Sequence, residues 1–332
     1  MEKTENVKQS PEIFFSMLQN YLEAQLFFIA LELDIFSNTD EYINGKDLAK
    51  KKKFNERNTK LLLDALTSIE LLEKKGSDYK NKINTNLYLN TKSEKNLRDY
   101  FLFWRKTKDL SSIREDIKNT DMNSTSFKTG KNSYDFAGMA KSGINEMYCG
   151  RVQALIKTLE DNIEADKKIK ILDLGAGSGI LGLECCKKFK NSKVIIYDQE
   201  NVISISKDLI KKCNLSERAK SVSGNFITDD IGFDYDIIIA SGIFDFVGDL
   251  NNMCIKIKKA LKKGGYLYVN THKFNDDFTK PRTCVLGWLN GRVKGLEIIK
   301  SDKEIFSLLE KAGFSKVTLT ERDNWGILLK LN

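Results

Sequence analysis

The sequence predicts an α/β protein whose second half is a parallel sheet covered on both faces and ended by an antiparallel hairpin, and whose first half is α-helical. Three observations carry this. From Lys170 onward, short apolar runs alternate with helical patterns, as in a parallel sheet. The final runs, KVTLTER and WGILLKLN, flank a turn at Asp323–Asn324 and read as an edge hairpin. The first half instead places its apolar residues mostly at helical spacing.

Taken in order, Ser10–Pro11 opens a helix that carries Ile13, Phe14, Met17, Leu18, Tyr21 and Leu22, then Leu26, Ile29, Ala30 and Leu33. A helix apolar on more than one stripe needs a partner on more than one side, and a second subunit is the expected one. Two short helices follow within Asn44–Leu72, turning near Phe54–Asn55. A ribbon is expected over DYKNKINTNLYLN, with Tyr79, Ile83, Leu87 and Leu89 as its apolar positions. Helix, turn, helix, ribbon is the winged-helix arrangement. Its second helix offers Arg57 and Lys60 but then Leu61, Leu62, Leu63, Leu66, Ile69, Leu71 and Leu72, which favours packing over base reading. Leu97–Ile117 reads as a helix with an aromatic group at Tyr100, Phe101, Phe103 and Trp104. Asn119–Ser133 reads as a loop, and Ser142–Asp161 as a further helix. The expected domains are 1–95 for dimerisation, 96–160 as helical linker and pocket segment, and 161–332 as the ligand-binding sheet.

Composition agrees. Of 332 residues, 41% are hydrophobic and 30% charged, which excludes a disordered chain and a membrane-embedded one. The 54 Lys+Arg against 46 Asp+Glu give +8, spread over helical stretches as a solvated surface, so nucleic acid is not the expected partner. Six cysteines without CxxC spacing argue against a metal site, and the polar N-terminus lacks a signal-peptide core. A reduced, cytoplasmic setting is expected. The chain has one histidine, His272.

The chemistry-bearing stretch is Ile171-Leu-Asp-Leu-Gly-Ala-Gly-Ser-Gly179, a strand running into a glycine-rich turn and a helix. Glycines there let backbone approach a ligand. A literal GxGxxG spans Gly177–Gly182, but Gly182 falls inside the helix, and Asp173 at the strand end is ill-suited to a pyrophosphate. An acid there suits a cationic ligand such as S-adenosylmethionine, which carries a sulfonium, an ammonium and no phosphate. The next strand ends at Asp198, where a carboxylate can accept both ribose hydroxyls. Gly224-Asn225-Phe226 follows the third strand, positioned to flank an adenine.

With these residues the chain resembles the dimeric small-molecule O-methyltransferases related to acetylserotonin and plant phenolic enzymes, over nearly its whole length. LDLGAGSG matches the family's first cofactor motif; YDQENVISIS, GNF, LKKGGYLYV and LLEKAGFSKV resemble its later segments. The resemblance implies a class I methyltransferase, Rossmann-like sheet behind a winged-helix-like dimerisation domain. It also implies an S-adenosylmethionine site built by Asp173, Gly175, Gly177, Gly179, Asp198, Gln199, Gly224, Asn225, Phe226 and Ser241. Phe136, Met139, Tyr148 and Trp288 are the candidate acceptor-binding residues, Met139 because a Met of this helix packs on the acceptor ring in the family.

The departures bear on mechanism. Where the family presents a catalytic His-Asp-aromatic stretch, this chain has SGIFDFVGD, with Asp245 the occupant and Phe244 the other register. His272 lies outside that motif and reads as a loop residue at a pocket rim, with a role as the base as its alternative. The family's late Glu is not clearly matched by GRVKGLEII. Methyl transfer from a sulfonium is an in-line displacement that needs alignment, plus a base if the acceptor is a neutral alcohol or phenol. Asp245 is the candidate base; otherwise the acceptor ionises readily or needs no deprotonation. Two other functions stay open: a winged-helix DNA-binding regulator sensing S-adenosylmethionine, and a decarboxylase or cyclase using the cofactor for its charge.

Overall fold

Of the 21 residues of helix α1 (Glu12–Glu32), only Ala30 and Leu31 are buried, while Ile13, Phe14, Phe15, Met17, Leu18, Tyr21 and Leu22 are each more than half exposed. The structure is a computed structural model that describes residues 10–120, 134–295, 300–318 and 326–332. It divides into two compact units, Met1–Trp104 and Arg105–Asn332. The expected loop at 119–133 and the N-terminal segment lie largely outside the described residues.

In the first unit, β1 (Ile43–Asn44), α2 (Gly45–Lys52), α3 (Glu56–Ser68), β2 (Leu72–Lys75) and β3 (Asp78–Asn81) form a winged helix, with strand order β1-β3-β2, all antiparallel. Each helix starts at an Asn whose side chain accepts a backbone N–H: Asn44 from Lys46, Asn55 from Asn58, both at 3.0 Å. Leu48, Leu63, Leu66, Leu72 and Tyr79 fill the core together with Ala30, Leu31, Ile35 and Phe36.

The ribbon lies earlier than the sequence suggested. It turns at Gly76 and ends at Asn81, whose buried amide donates to the Phe36 carbonyl and to Asn86. Ile83–Leu89 is a helix, α4, because its buried positions are Thr85 and Leu89, four apart, while Ile83 is 86% exposed.

On α3 and the neighbouring β2, two lysines are engaged by an acid. Asp64 accepts from Lys60 Nζ at 2.8 Å, Lys74 Nζ at 2.5 Å and the Tyr79 hydroxyl at 2.8 Å, and the two lysines hold its carboxyl well below the usual range. Basic groups tied to an acid are poor phosphate ligands.

The helix expected over Leu97–Ile117 is two helices, α5 (Arg98–Thr107) and α6 (Ile113–Lys118). That expected over Ser142–Asp161 is likewise broken. α7 (Phe136–Ser142) and a 3-10 turn (Glu146–Cys149) precede α8 (Arg151–Glu160), with Gly150 at φ +143° between the last two.

The sheet of the second unit comprises β4 (Lys170–Leu174), β5 (Lys193–Asp198), β6 (Ala219–Ser223), β7 (Tyr235–Ser241), β8 (Leu261–Asn270), β9 (Phe314–Thr318) and β10 (Ile327–Leu331). Its order is β6-β5-β4-β7-β8-β10-β9. Strands β6 to β8 pair in parallel, and β10 runs antiparallel to both neighbours, as the predicted hairpin requires. The turn expected at Asp323–Asn324 lies outside the described residues. Ile237, Ile238, Ile239 and Ala240 are all fully buried, so both faces of β7 are covered. One face carries α8, α9 (Ile180–Lys188) and α10 (Glu200–Lys212); the other carries α11 (Leu250–Ala260) and α13 (Asp302–Lys311). The helix α12 (Arg282–Val293) follows β8. Strand order reverses at β4, so the crevice between the C-terminal ends of β4 and β7 is where a ligand of such a sheet sits.

Candidate active site

Strand β4 delivers Asp173 to that crevice and then turns through Gly175, Gly177 and Gly179, at φ +63°, +58° and +80°. Gly175 is required twice over: its φ disfavours a side chain, and a Cβ there would sit 2.4 Å from Ile243 Cγ2. Asp173 does not point into open space. It is 1% exposed, and its Oδ2 accepts the Gly182 N–H at 2.8 Å, tying strand to helix. Gly182 is fixed by the same contact, since a Cβ would meet Val194 and Asp173 at 2.9–3.0 Å. The GxGxxG spelling therefore ends on a packing glycine.

Asp198, at the end of β5, is buried, and both its oxygens face backbone donors. Oδ2 accepts from Gly177 at 2.6 Å and Oδ1 from Gln199 at 2.7 Å, so the acid holds the glycine loop. Burial pushes Asp173 up to about 7, helped by the neighbouring Asp198, and burial raises Asp198 as well. Two crowded acids around a loop of bare backbone form a site short of positive charge. That fits a cationic cofactor and disfavours a phosphate. The third segment closes on the same loop. Gly224 lies so near Tyr197 that a Cβ would overlap the ring hydroxyl at 2.0 Å, and Phe226 comes within 3.4 Å of the Gly175 Cβ position. Asn225 is exposed, its Oδ1 accepting from Ile227 N–H at 3.0 Å.

Beyond Ser241 at the end of β7, a 3-10 turn, Phe244–Phe246, carries Asp245, which is fully buried. His272, two residues past β8, places Nδ1 2.7 Å from Asp245 Oδ2. The contact is an ion-pair approach rather than a straight hydrogen bond, because neither Asp245 oxygen meets hydrogen-bond geometry with any described residue. Around the pair stands an aromatic group. Trp288 packs edge-on against His272 (ring centroids 5.0 Å apart, 82°) and against Phe246 (5.7 Å), and Tyr134 lies at 5.3 Å from Trp288. Phe136 reaches Phe246 at 5.1 Å. The Tyr134 hydroxyl donates to Met139 Sδ at 3.4 Å. Lys108 Nζ sits 3.8 Å over the Trp288 ring, and burial pulls this lysine down to about 8.

Three of the four acceptor candidates, Phe136, Met139 and Trp288, thus come together. The fourth, Tyr148, is engaged elsewhere, its hydroxyl donating to Glu184 on α9 at 2.7 Å. Cys284 packs with Phe274 and Trp288, whereas Cys149 is exposed.

The family model for the O-methyltransferase domain matches residues 109–315. The chain belongs to this family. Among relatives of this O-methyltransferase family, the acetylserotonin O-methyltransferase of Gallus gallus is 24% identical over 96% of this chain and 95% of its own. The human N-acetylserotonin methyltransferase, solved in complex with SAM, superposes with a TM-score of 0.77 at 19% identity, covering 100% of both chains. An O-methyltransferase family protein from Burkholderia thailandensis gives 0.78 at 15% identity, covering 98% of this chain and 99% of its own. The fold of this O-methyltransferase is therefore the class I methyltransferase sheet with its C-terminal hairpin and helical N-terminal region.

Sequence reasoning missed Tyr134, Phe246, Lys108 and the contact of His272 with Asp245, though it placed His272 in a loop at the pocket rim. Phe246 was within reach, since it is the aromatic after the acid in SGIFDFVGD. The late acid of GRVKGLEII, Glu297, lies outside the described residues.

Proposed function

We propose that this enzyme methylates the oxygen of a small, planar, readily ionised aromatic molecule. S-adenosylmethionine is its cofactor and supplies an activated methyl group on a sulfonium. The observation that carries the acceptor class is the aromatic group of Tyr134, Phe136, Phe246 and Trp288, gathered at the C-terminal ends of β7 and β8 beside the glycine loop. Flat rings stack on such walls. Lys108, held over Trp288, favours an acceptor that carries or develops negative charge. Asp198 is assigned to the ribose hydroxyls, and Gly175, Gly177 and Gly179 to close backbone approach. Gln199, Gly224, Asn225, Phe226 and Ser241 are assigned to the rest of the cofactor wall. Asp173 acts from beneath the loop, through its charge and its hold on α9. The regulator reading has no support in the Asp64 cluster on α3, which occupies the lysines a phosphate would need.

A screen of phenols, thiols, carboxylates and amines with labelled cofactor, read at several pH values, tests the acceptor. We expect acidic phenols or enols to be labelled on oxygen and the rate to fall with acceptor bulk. Labelling confined to amines, or none in any class, would overturn the proposal.

We further assign α1 to a homodimer interface and the protein to the cytoplasm. All six cysteines are free thiols, and among the described residues no helix is long and apolar enough to cross a membrane. The exposed side chains of α1 form a contiguous apolar surface that a lone subunit would leave in water. Light scattering at micromolar concentration should report a dimer, and a double change of Phe14 and Leu18 to Asp should yield monomers. A wild-type monomer would contradict the assignment.

A further inference from the structure

We infer that His272 and Asp245 are a catalytic pair in which His272 takes the acceptor's proton and Asp245 positions and polarises the imidazole; this rests on the methyl-transfer reading above. The two residues are 27 positions apart, and the sheet brings them together. Ser241 pairs with Asn270 across β7 and β8, and the Gly242 N–H donates to the Asn270 carbonyl at 2.8 Å, so the loops leaving both strands start side by side. His272 Nδ1 then lies 2.7 Å from Asp245 Oδ2.

The division of labour follows from burial. The Asp245 side chain is 1% exposed and the His272 side chain 27% exposed, so an acceptor touches the imidazole and not the carboxylate. A base must come within about 3 Å of the proton it takes, or act through one water. Asp245 is sealed from that contact. Its oxygens accept no hydrogen bond from any described residue, and a buried carboxylate so placed is stabilised by a positive charge on its neighbour 2.7 Å away. The imidazolium that forms when His272 takes the proton supplies one. In the proposed pair the hydrogen of the neutral ring is on Nδ1, the nitrogen nearest the acid, which leaves Nε2 as the accepting atom. Other charged or titratable groups near the pair are Cys284 on α12, Arg151, which acts on Cys284 from α8, and Lys108 on the Trp288 ring.

The step balances. As the acceptor oxygen forms its bond to the methyl carbon, its proton passes to Nε2. The carbon–sulfur bonding pair leaves with sulfur, which changes from sulfonium to neutral thioether. The imidazolium then releases the proton to water through its exposed edge.

The test uses His272→Gln and Asp245→Asn in the full-length enzyme. His272→Gln should lower kcat by about 10²–10⁴-fold, leave cofactor affinity by calorimetry within twofold, and abolish the rise of kcat/KM with pH. Asp245→Asn should lower kcat yet keep that rise, because the base itself is still in place. If Asp245→Asn removes the rise and His272→Gln keeps it, Asp245 is the base and the assignment is wrong. Unchanged turnover in His272→Gln overturns it equally. One measurement does not depend on the function. With a single histidine, nitrogen NMR reads the imidazole tautomer directly: it should be the Nδ1–H form in the wild type and revert towards Nε2–H in Asp245→Asn. A pair visible by NMR in an enzyme that methylates nothing would locate the failure in the functional reading. An Nε2–H tautomer in the wild type would dismiss the pair itself.

Discussion

Asp198→Ala is expected to weaken S-adenosylmethionine binding by about 10- to 100-fold, corresponding to roughly 1.5–3 kcal/mol for a charged acceptor lost from a buried site. Two effects add. The ribose hydroxyls lose the acceptor proposed for them, and the Gly177 and Gln199 N–H groups lose the carboxylate that fixes the loop, at 2.6 and 2.7 Å. Asp198→Asn should fall between, since one amide oxygen still accepts. Isothermal calorimetry decides, and an unchanged affinity in Asp198→Ala would remove Asp198 from the cofactor site.

A second large effect concerns pH. Asp173 ionises near 3.8 in the unfolded chain but at about 7 in the cofactor-free fold, because burial and the nearby Asp198 oppose its charge. A carboxylate with a raised folded-state pKa favours the fold while it is protonated in both states. That contribution is full below about 4 and is lost as pH rises to about 7. Asp173→Asn should therefore match the wild type near pH 4 and, without cofactor, exceed its stability at pH 8 by about 2–4 kcal/mol. The amide oxygen can still accept the Gly182 N–H. In the wild type the positive cofactor offsets the penalty, so the cofactor-induced rise in Tm should grow between pH 5 and 8 and flatten in the variant. Thermal unfolding with and without cofactor measures both. Parallel wild-type and variant profiles would show that Asp173 carries no such penalty.

Local signals made most of this fold readable. Buried parallel strands write themselves as unbroken apolar runs, so ILDLG, KVIIYD and YDIIIAS were plain, and the glycines fixed where the first run turns. The ribbon was misplaced because Ile83, Leu87 and Leu89 suit either period, and what decides is tertiary: Asn81 turns inward to the Phe36 carbonyl and ends the strand. The long helices were broken for the same kind of reason, at a glycine with positive φ and at Lys108–Ser112, where no sequence period changes. At the site, the acids and glycines carry their chemistry in their spacing. The His272 contact does not. It depends on the register of β7 against β8, which separates neighbours in space by 27 residues of chain. Asp173 was assigned correctly to the strand end, yet its carboxylate faces inward to Gly182, a direction that no spacing encodes.

The exposed length of α1 changes what stability means for this chain. Its 21 residues extend about 30 Å, and most of its apolar side chains find no cover within their own subunit. In the proposed homodimer the second copy that covers them contributes to folding by mass action, which ties the midpoint of unfolding to protein concentration. Dilution then acts like a mild denaturant, and activity per molecule measured at nanomolar enzyme need not equal that at micromolar.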